Sequence, residues 1–269
     1  MTDSVICAHL SQHIYHMRFE QDSFLQEPAE ELKQRSANDY LKNLEFLGAY
    51  SNSLDMQCAL FCQGPRYFVV FRGSESLKDW LINSLFFSTR IPSLSLQKPL
   101  KVHSGFLKQL RNGNALQQVL ARLNESVAAG PFKRDLISLT MTGHSLGGAQ
   151  ATIAAFLTYR HLHHDFHQRV SVVCFGAPRA VSLPEYRAFM IRTKVAVKNY
   201  IFKADPVPFL PPFIFQHPGD VWQYVENRYD LVQSQGQKTQ AAFRKPLSTL
   251  WHIRPYDHSA SNYVNSLSG

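Results

Sequence analysis

Nowhere in its 269 residues does the chain hold the roughly 18 consecutive apolar residues that a membrane-crossing helix needs, so no transmembrane segment is expected. The N-terminal stretch MTDSVICAHLSQHIYHMRFE also lacks the unbroken apolar core of a secretory signal, being interrupted by Asp3, His9 and Arg18. The expectation is a soluble protein, cytoplasmic or exported by a route without a cleaved signal peptide. Cysteine is scarce: Cys7, Cys58, Cys62 and Cys174. Cys58 and Cys62 stand four apart in a strand-like run, on one face but too far apart to bridge easily. Buried reduced thiols are therefore expected in place of a disulfide framework. Repeats, low-complexity tracts and linker-like boundaries are missing as well. With 45% hydrophobic and 12% aromatic residues there is no disorder signature, and one domain over residues 1–269 is expected. A net charge of +8 favours a negative partner. The basic residues are scattered and form no nucleic-acid module, so nucleic acid is not expected and an anionic lipid surface remains.

What is present reads as alternating helices and strands. Apolar spacing predicts helices over 3–20 and 28–48, then strands over 56–62 and 67–72 hinged at Gly64-Pro65. Leu77, Trp80, Leu81 and Leu85 give helical spacing to residues 76–87, and a Pro- and Ser-containing stretch over 91–100 follows. Leu116, Val119, Leu120, Leu123 and Val127 predict an amphipathic helix within 104–128. Strands at 135–142, 170–175 and 197–203 alternate with helices at 146–163 and 183–193, which implies parallel pairing through crossovers. After Asp205 the prolines at 206, 208, 211, 212 and 218 predict loops.

The stretch LISLTMTGHSLGGAQATIAAF places Gly143-His144-Ser145-Leu146-Gly147 between an apolar strand and a helix. This is the setting of a nucleophile elbow, a turn so tight that only small residues fit two before and two after the serine. A serine helix cap between packing glycines is the plainer reading. A serine hydroxyl needs a base, and the base needs an orienting acid, in the chain order Ser, acid, His. Asp205 in VKNYIFKADPVPFLPP ends a strand before two prolines and suits the acid, with Asp220 and Asp257 as fallbacks. His258 in the polar turn PYDHSASNYV is favoured as base over His252 in the more apolar LWHIRP.

Four stretches together resemble the class 3 lipase family, the α/β-hydrolases that include fungal triacylglycerol lipases. They are VVFRGSESLKDWL, VHSGF, LTMTGHSLGGAQAT with VCFGAPR, and DPVPFLPP followed by HPGDVW and DHSASNY. The resemblance extends from about residue 45 to 265 and implies an α/β-hydrolase fold, a mostly parallel central sheet flanked by helices, with a short lid segment. Residues 1–45 would form an N-terminal helical part and about 75–99 the lid and its following loop. The resemblance also implies Ser145 as nucleophile, Asp205 as acid, His258 as base, and Ser74 in the oxyanion hole. The physics of that hole asks for a second N–H beside the nucleophile, here Leu146. Lid and acyl-groove candidates are Trp80, Leu81, Leu85, Phe86, Phe87 and His144, although a helix packed permanently on the core would show the same pattern. No cofactor or metal is implied.

The implied chemistry is release of fatty acids from lipid acyl esters, of triacylglycerol lipase or phospholipase A type, through an acyl-enzyme. The partner would be a lipid or ester substrate, met through transient contact with a lipid interface or membrane surface. Two alternatives are an esterase for soluble or aryl esters and a catalytically silent module that binds lipids or proteins. Secreted fungal members carry signal peptides and disulfides, which this chain does not show, so a bacterial-type member is expected. The final motif also departs from the family, with Tyr263 five residues beyond His258. Histidines cluster at 161, 163, 164 and 167, where without the acidic or thiol partners of a metal site they read as an exposed helix end, and at 9, 13 and 16 near one helical face, where a metal is no more expected. His217 reads as structural.

Overall fold

A computed structural model describes residues 3–19, 29–74, 87–92, 98–162, 164–166, 169–211, 214–234, 237–238 and 255–268. Its sheet grows from the predicted hairpin. Strands β2 (Gln57–Gln63) and β3 (Arg66–Phe71) pair antiparallel across Gly64-Pro65, where Gly64 takes a φ of +58°. A preceding strand β1 (Glu45–Ser51) pairs antiparallel with β2. It corrects the expected helix over 28–48, because α2 (Ala29–Ala37) ends at a turn in which the Asn38 side chain accepts the Tyr40 N–H. Beyond that turn Leu47 and Tyr50 are buried where β1 joins the sheet.

Strands β6 (Ser138–His144), β7 (Val170–Phe175), β8 (Ala196–Phe202) and β9 (Asp220–Val225) follow β3 in a parallel run. Strands β10 (Arg228–Ser234) and β11 (Gln237–Lys238) close the edge antiparallel, so the nine strands lie in the order β1-β2-β3-β6-β7-β8-β9-β10-β11. A separate ribbon pairs β4 (Ser88–Ile91) with β5 (Leu100–His103). The last strands lie where loops were expected. Gln223 and Gln233 break the apolar pattern, and the β9–β10 turn is built from Glu226 and Asn227, both at positive φ, without the Asn-Gly pair that flags such a hairpin.

Helices cover both faces. On one side α3 (Ser104–Arg111), α4 (Ala115–Ala129), α5 (Leu146–Thr158) and α6 (Leu183–Thr193) bury Phe106, Val119, Leu123, Ile153 and Phe189 against the sheet. On the other, α1 (Asp3–His13) and α7 (Ala260–Ser268) bury Ile6, Leu10 and Val264. Each such side chain contributes about 1.5–3 kcal/mol relative to exposure. Helix 104–128 is two helices, since Gly113 adopts a φ of +60° in the break between them. The expected helix over 3–20 shortens to α1 and one 3₁₀ turn, Ile14–His16. This is the expected α/β-hydrolase arrangement, with antiparallel edges on a parallel centre. All four cysteines are buried and unpaired.

Candidate active site

The centre of the site is the turn from β6 into α5. Ser145 sits there at φ +59°, ψ −129°, a strained backbone for a residue with a side chain. Its neighbours explain the glycines. A Cβ on Gly143 would lie 2.4 Å from the carbonyl carbon of Gly147, and one on Gly147 would lie 2.1 Å from the carbonyl oxygen of Phe71. The turn is pinned by the Ser145 N–H, which donates to the Phe175 carbonyl at 2.8 Å. The serine therefore stands at the C-terminal edge of the parallel sheet and at the N-terminus of a 13-residue helix.

The predicted acid and base meet each other, and the base packs against His144, the residue before the serine. Strand β8 ends at Phe202, and a turn with Lys203 at positive φ delivers Asp205, which is fully buried. His258, in the 3₁₀ turn Pro255–His258, donates through Nδ1 to Asp205 Oδ2 at 2.8 Å. The same oxygen accepts the Tyr263 hydroxyl proton at 2.6 Å, and Oδ1 accepts the Val207 N–H at 3.0 Å. Burial first, then the Asp205 charge, holds the Tyr263 hydroxyl well above its ordinary pKa, so it stays a donor. Gly176 makes this packing possible. A Cβ there would come within 2.8 Å of Asp205 Oδ2, 2.9 Å of the Tyr263 hydroxyl and 3.1 Å of His258 Cε1. Behind the acid, His217 Nε2 donates to the Pro208 carbonyl at 2.7 Å. Burial, aided by the nearby Arg179, lowers the His217 pKa to about 4 and keeps the ring neutral.

Ser74 follows β3 on the other side of the elbow. Its neighbour Gly73 lies so close that a Cβ would meet Ser145 Cβ at 3.2 Å and the Tyr15 hydroxyl at 2.1 Å. Ser74 thus follows a glycine packed against the serine, while Leu146 is the first residue of α5 after it. Arg72 is held by Gln57 Oε1 at 3.0 Å and lies over the Tyr15 ring, 5.8 Å from its centroid. The Tyr15 hydroxyl bonds His144 Nδ1 at 3.0 Å. His144, a groove candidate from the sequence, is buried, with its ring 4.6 Å from that of His258. Burial first, then the neighbouring His258, pushes its pKa well down. The sequence reading gave no role to Tyr15, which nothing local marks, and none to Gly176, which it held only as part of VCFGAPR.

Three buried polar atoms in this cluster, Ser145 Oγ, His258 Nε2 and His144 Nε2, have no hydrogen-bond partner among the described residues. Buried groups left in that state are expected where a reacting molecule completes the bonding. The fallback Asp220 opens β9 and accepts the Ser234 hydroxyl. Asp257 precedes the base in its 3₁₀ turn. His252 and the lid candidates Trp80, Leu81, Leu85 and Phe86 lie outside the described residues, as do His163 and His167. Phe87 is described and exposed. His9 bonds Ser268 and Asn38 and stacks on Tyr40. No cluster among the described residues could hold a metal ion.

Residues 68–215 match the family model for lipase (class 3). A lipase of Rhizomucor miehei is 27% identical over 200 residues, covering 72% of this chain and 52% of that protein. Phospholipase A(1) DAD1, chloroplastic, of Arabidopsis thaliana is 32% identical over 55% of this chain and 34% of its own length. The chain thus spans about half or less of these relatives. Among solved structures, lipase II from Rhizopus niveus superposes with a TM-score of 0.72 at 19% identity, over 95% of this chain and 91% of that one.

Proposed function

The chain belongs to the class 3 lipase family, and on that premise we propose that it is a serine carboxylic-ester hydrolase that releases fatty acids from lipid acyl esters. One observation carries the reading: a histidine backed by a buried carboxylate packs against the residue that precedes a strained serine at a strand-to-helix elbow. In the proposed reaction the Ser145 oxygen attacks the ester carbonyl carbon while His258 Nε2 takes its proton. Asp205 holds the ring with Nδ1–H toward itself and stabilises the imidazolium that forms. The oxyanion is bound by the N–H groups of Ser74 and Leu146, each such donor contributing about 3 kcal/mol. His258 then protonates the leaving alcohol, and a water deprotonated by the same ring cleaves the acyl-enzyme.

The relatives' names support glycerides and phospholipids as the substrate classes, and access would come through transient contact with a lipid interface. Four buried free thiols support a reducing, cytoplasmic setting and a bacterial-type member, unlike the disulfide-bearing secreted ones. A fluorophosphonate probe tests the mechanism. Stoichiometric labelling of Ser145 in folded protein is expected, and its absence would mark a silent binding module. A parallel panel of triacylglycerols, phospholipids and short soluble esters separates the substrate classes. Activity confined to soluble esters would overturn the lipid assignment.

A further inference from the structure

The β4–β5 ribbon carries charge that nothing among the described residues answers. Arg90 of β4 stands directly opposite Lys101 of β5, and both are exposed. Like charges facing each other across an antiparallel pair repel. Neither side chain has an acidic partner among the described residues. The next pair, Ile91 and Leu100, is buried, so the register that anchors the ribbon also forces the two cations side by side toward solvent. Exposed Lys98 leads into β5, and Phe87, 69% exposed, leads into β4.

This ribbon is tied to the active-site end of the molecule. Lys101 exchanges bonds with Ser182, its N–H donating to Oγ at 3.1 Å and its carbonyl accepting the Ser182 N–H at 2.9 Å. Val102 bridges Val181, which bridges Gln216 in turn. That segment leaves β7 through Gly176, the residue on which Asp205, His258 and Tyr263 close. Ile214, 41% exposed, lies two residues before the last bridge. Paired exposed cations with exposed apolar side chains at the margins of the same ribbon match a layer of anionic headgroups over acyl chains.

We propose that the β4–β5 ribbon is a docking strip for an anionic lipid surface, which holds the serine's end of the sheet against the bilayer. The inference deepens the hydrolase reading and rests on it. Each cation near such a surface strengthens partitioning roughly fivefold, so removing Arg90 and Lys101 together lowers it roughly 30-fold. The test is flotation of the Ser145→Ala chain, which leaves the lipid intact, on phosphatidylcholine vesicles with and without phosphatidylglycerol. Arg90→Gln with Lys101→Gln is compared with Lys133→Gln with Arg169→Gln, an equal charge loss just before β6 and β7 at the opposite end of the sheet. The proposal expects about 30-fold weaker binding to phosphatidylglycerol vesicles for the ribbon pair and little change for the remote pair. Equal loss for both pairs, no loss for the ribbon pair, or equal binding to vesicles without phosphatidylglycerol would overturn it. Turnover of a soluble short-chain ester by the ribbon pair with Ser145 intact should match the parent. Absence of turnover in the parent would sink the hydrolase reading, while the flotation result would still decide the ribbon's role.

Discussion

At the scale of single residues the site depends on small groups that let large ones meet. Gly176 has a φ of +59° and would place any Cβ against three members of the acid–base cluster. Gly176→Ala should therefore lower kcat about 100-fold by displacing His258, with the protein still folded. An unchanged kcat with unchanged circular dichroism would show that the close packing does not matter. Tyr263→Phe keeps the ring but removes the second donor to Asp205 Oδ2. Loss of one hydrogen bond to a charged group, about 1.5 kcal/mol, should reduce kcat/KM about tenfold, measured on a soluble ester. The elbow was legible in the sequence because its geometry tolerates only small residues at 143 and 147. Tyr263 was noticed only as a departure in spacing, and Tyr15 not at all, since hydrogen bonds made across the fold leave no local pattern.

At the scale of elements the same backbone contact decides whether α5 can seat on the sheet. A methyl at Gly147 would lie 2.1 Å from the Phe71 carbonyl oxygen, so helix and strand must separate. Gly147→Ala should destabilise the protein by about 1–3 kcal/mol, read as a lower urea midpoint with unchanged slope. An unaltered midpoint would contradict the tight β3–α5 contact. The central strands were readable as continuous apolar runs, because crossover helices bury both of their faces. The elements missed were those set by turns. Gly113 splits one amphipathic pattern into α3 and α4, and the β9–β10 hairpin turns on Glu226 and Asn227. Strand β1 was hidden because Gly48 and the register shift beside it interrupt the alternation of Glu45–Ser51 against β2.

For the whole molecule, buried neutral histidines set the response to acid. Burial lowers His9, His144 and His217 alike, the last to about 4. The unfolded chain binds protons at these sites near pH 6.5, while folded His217 resists until about 4. Unfolding thus takes up protons in this window, so stability is full above it and is lost as pH falls through it. His217 alone accounts for about 3 kcal/mol of that loss. Urea unfolding at both ends of the window should show a smaller pH difference for His217→Gln than for the parent, and equal differences would contradict this assignment. The central claim remains that Ser145 carries the acyl group. Fatty acid released from defined glycerides and phospholipids, identified by mass spectrometry, should appear with the parent chain and fall about 10⁶-fold in Ser145→Ala. Release by the folded variant at the parent's rate would contradict the account.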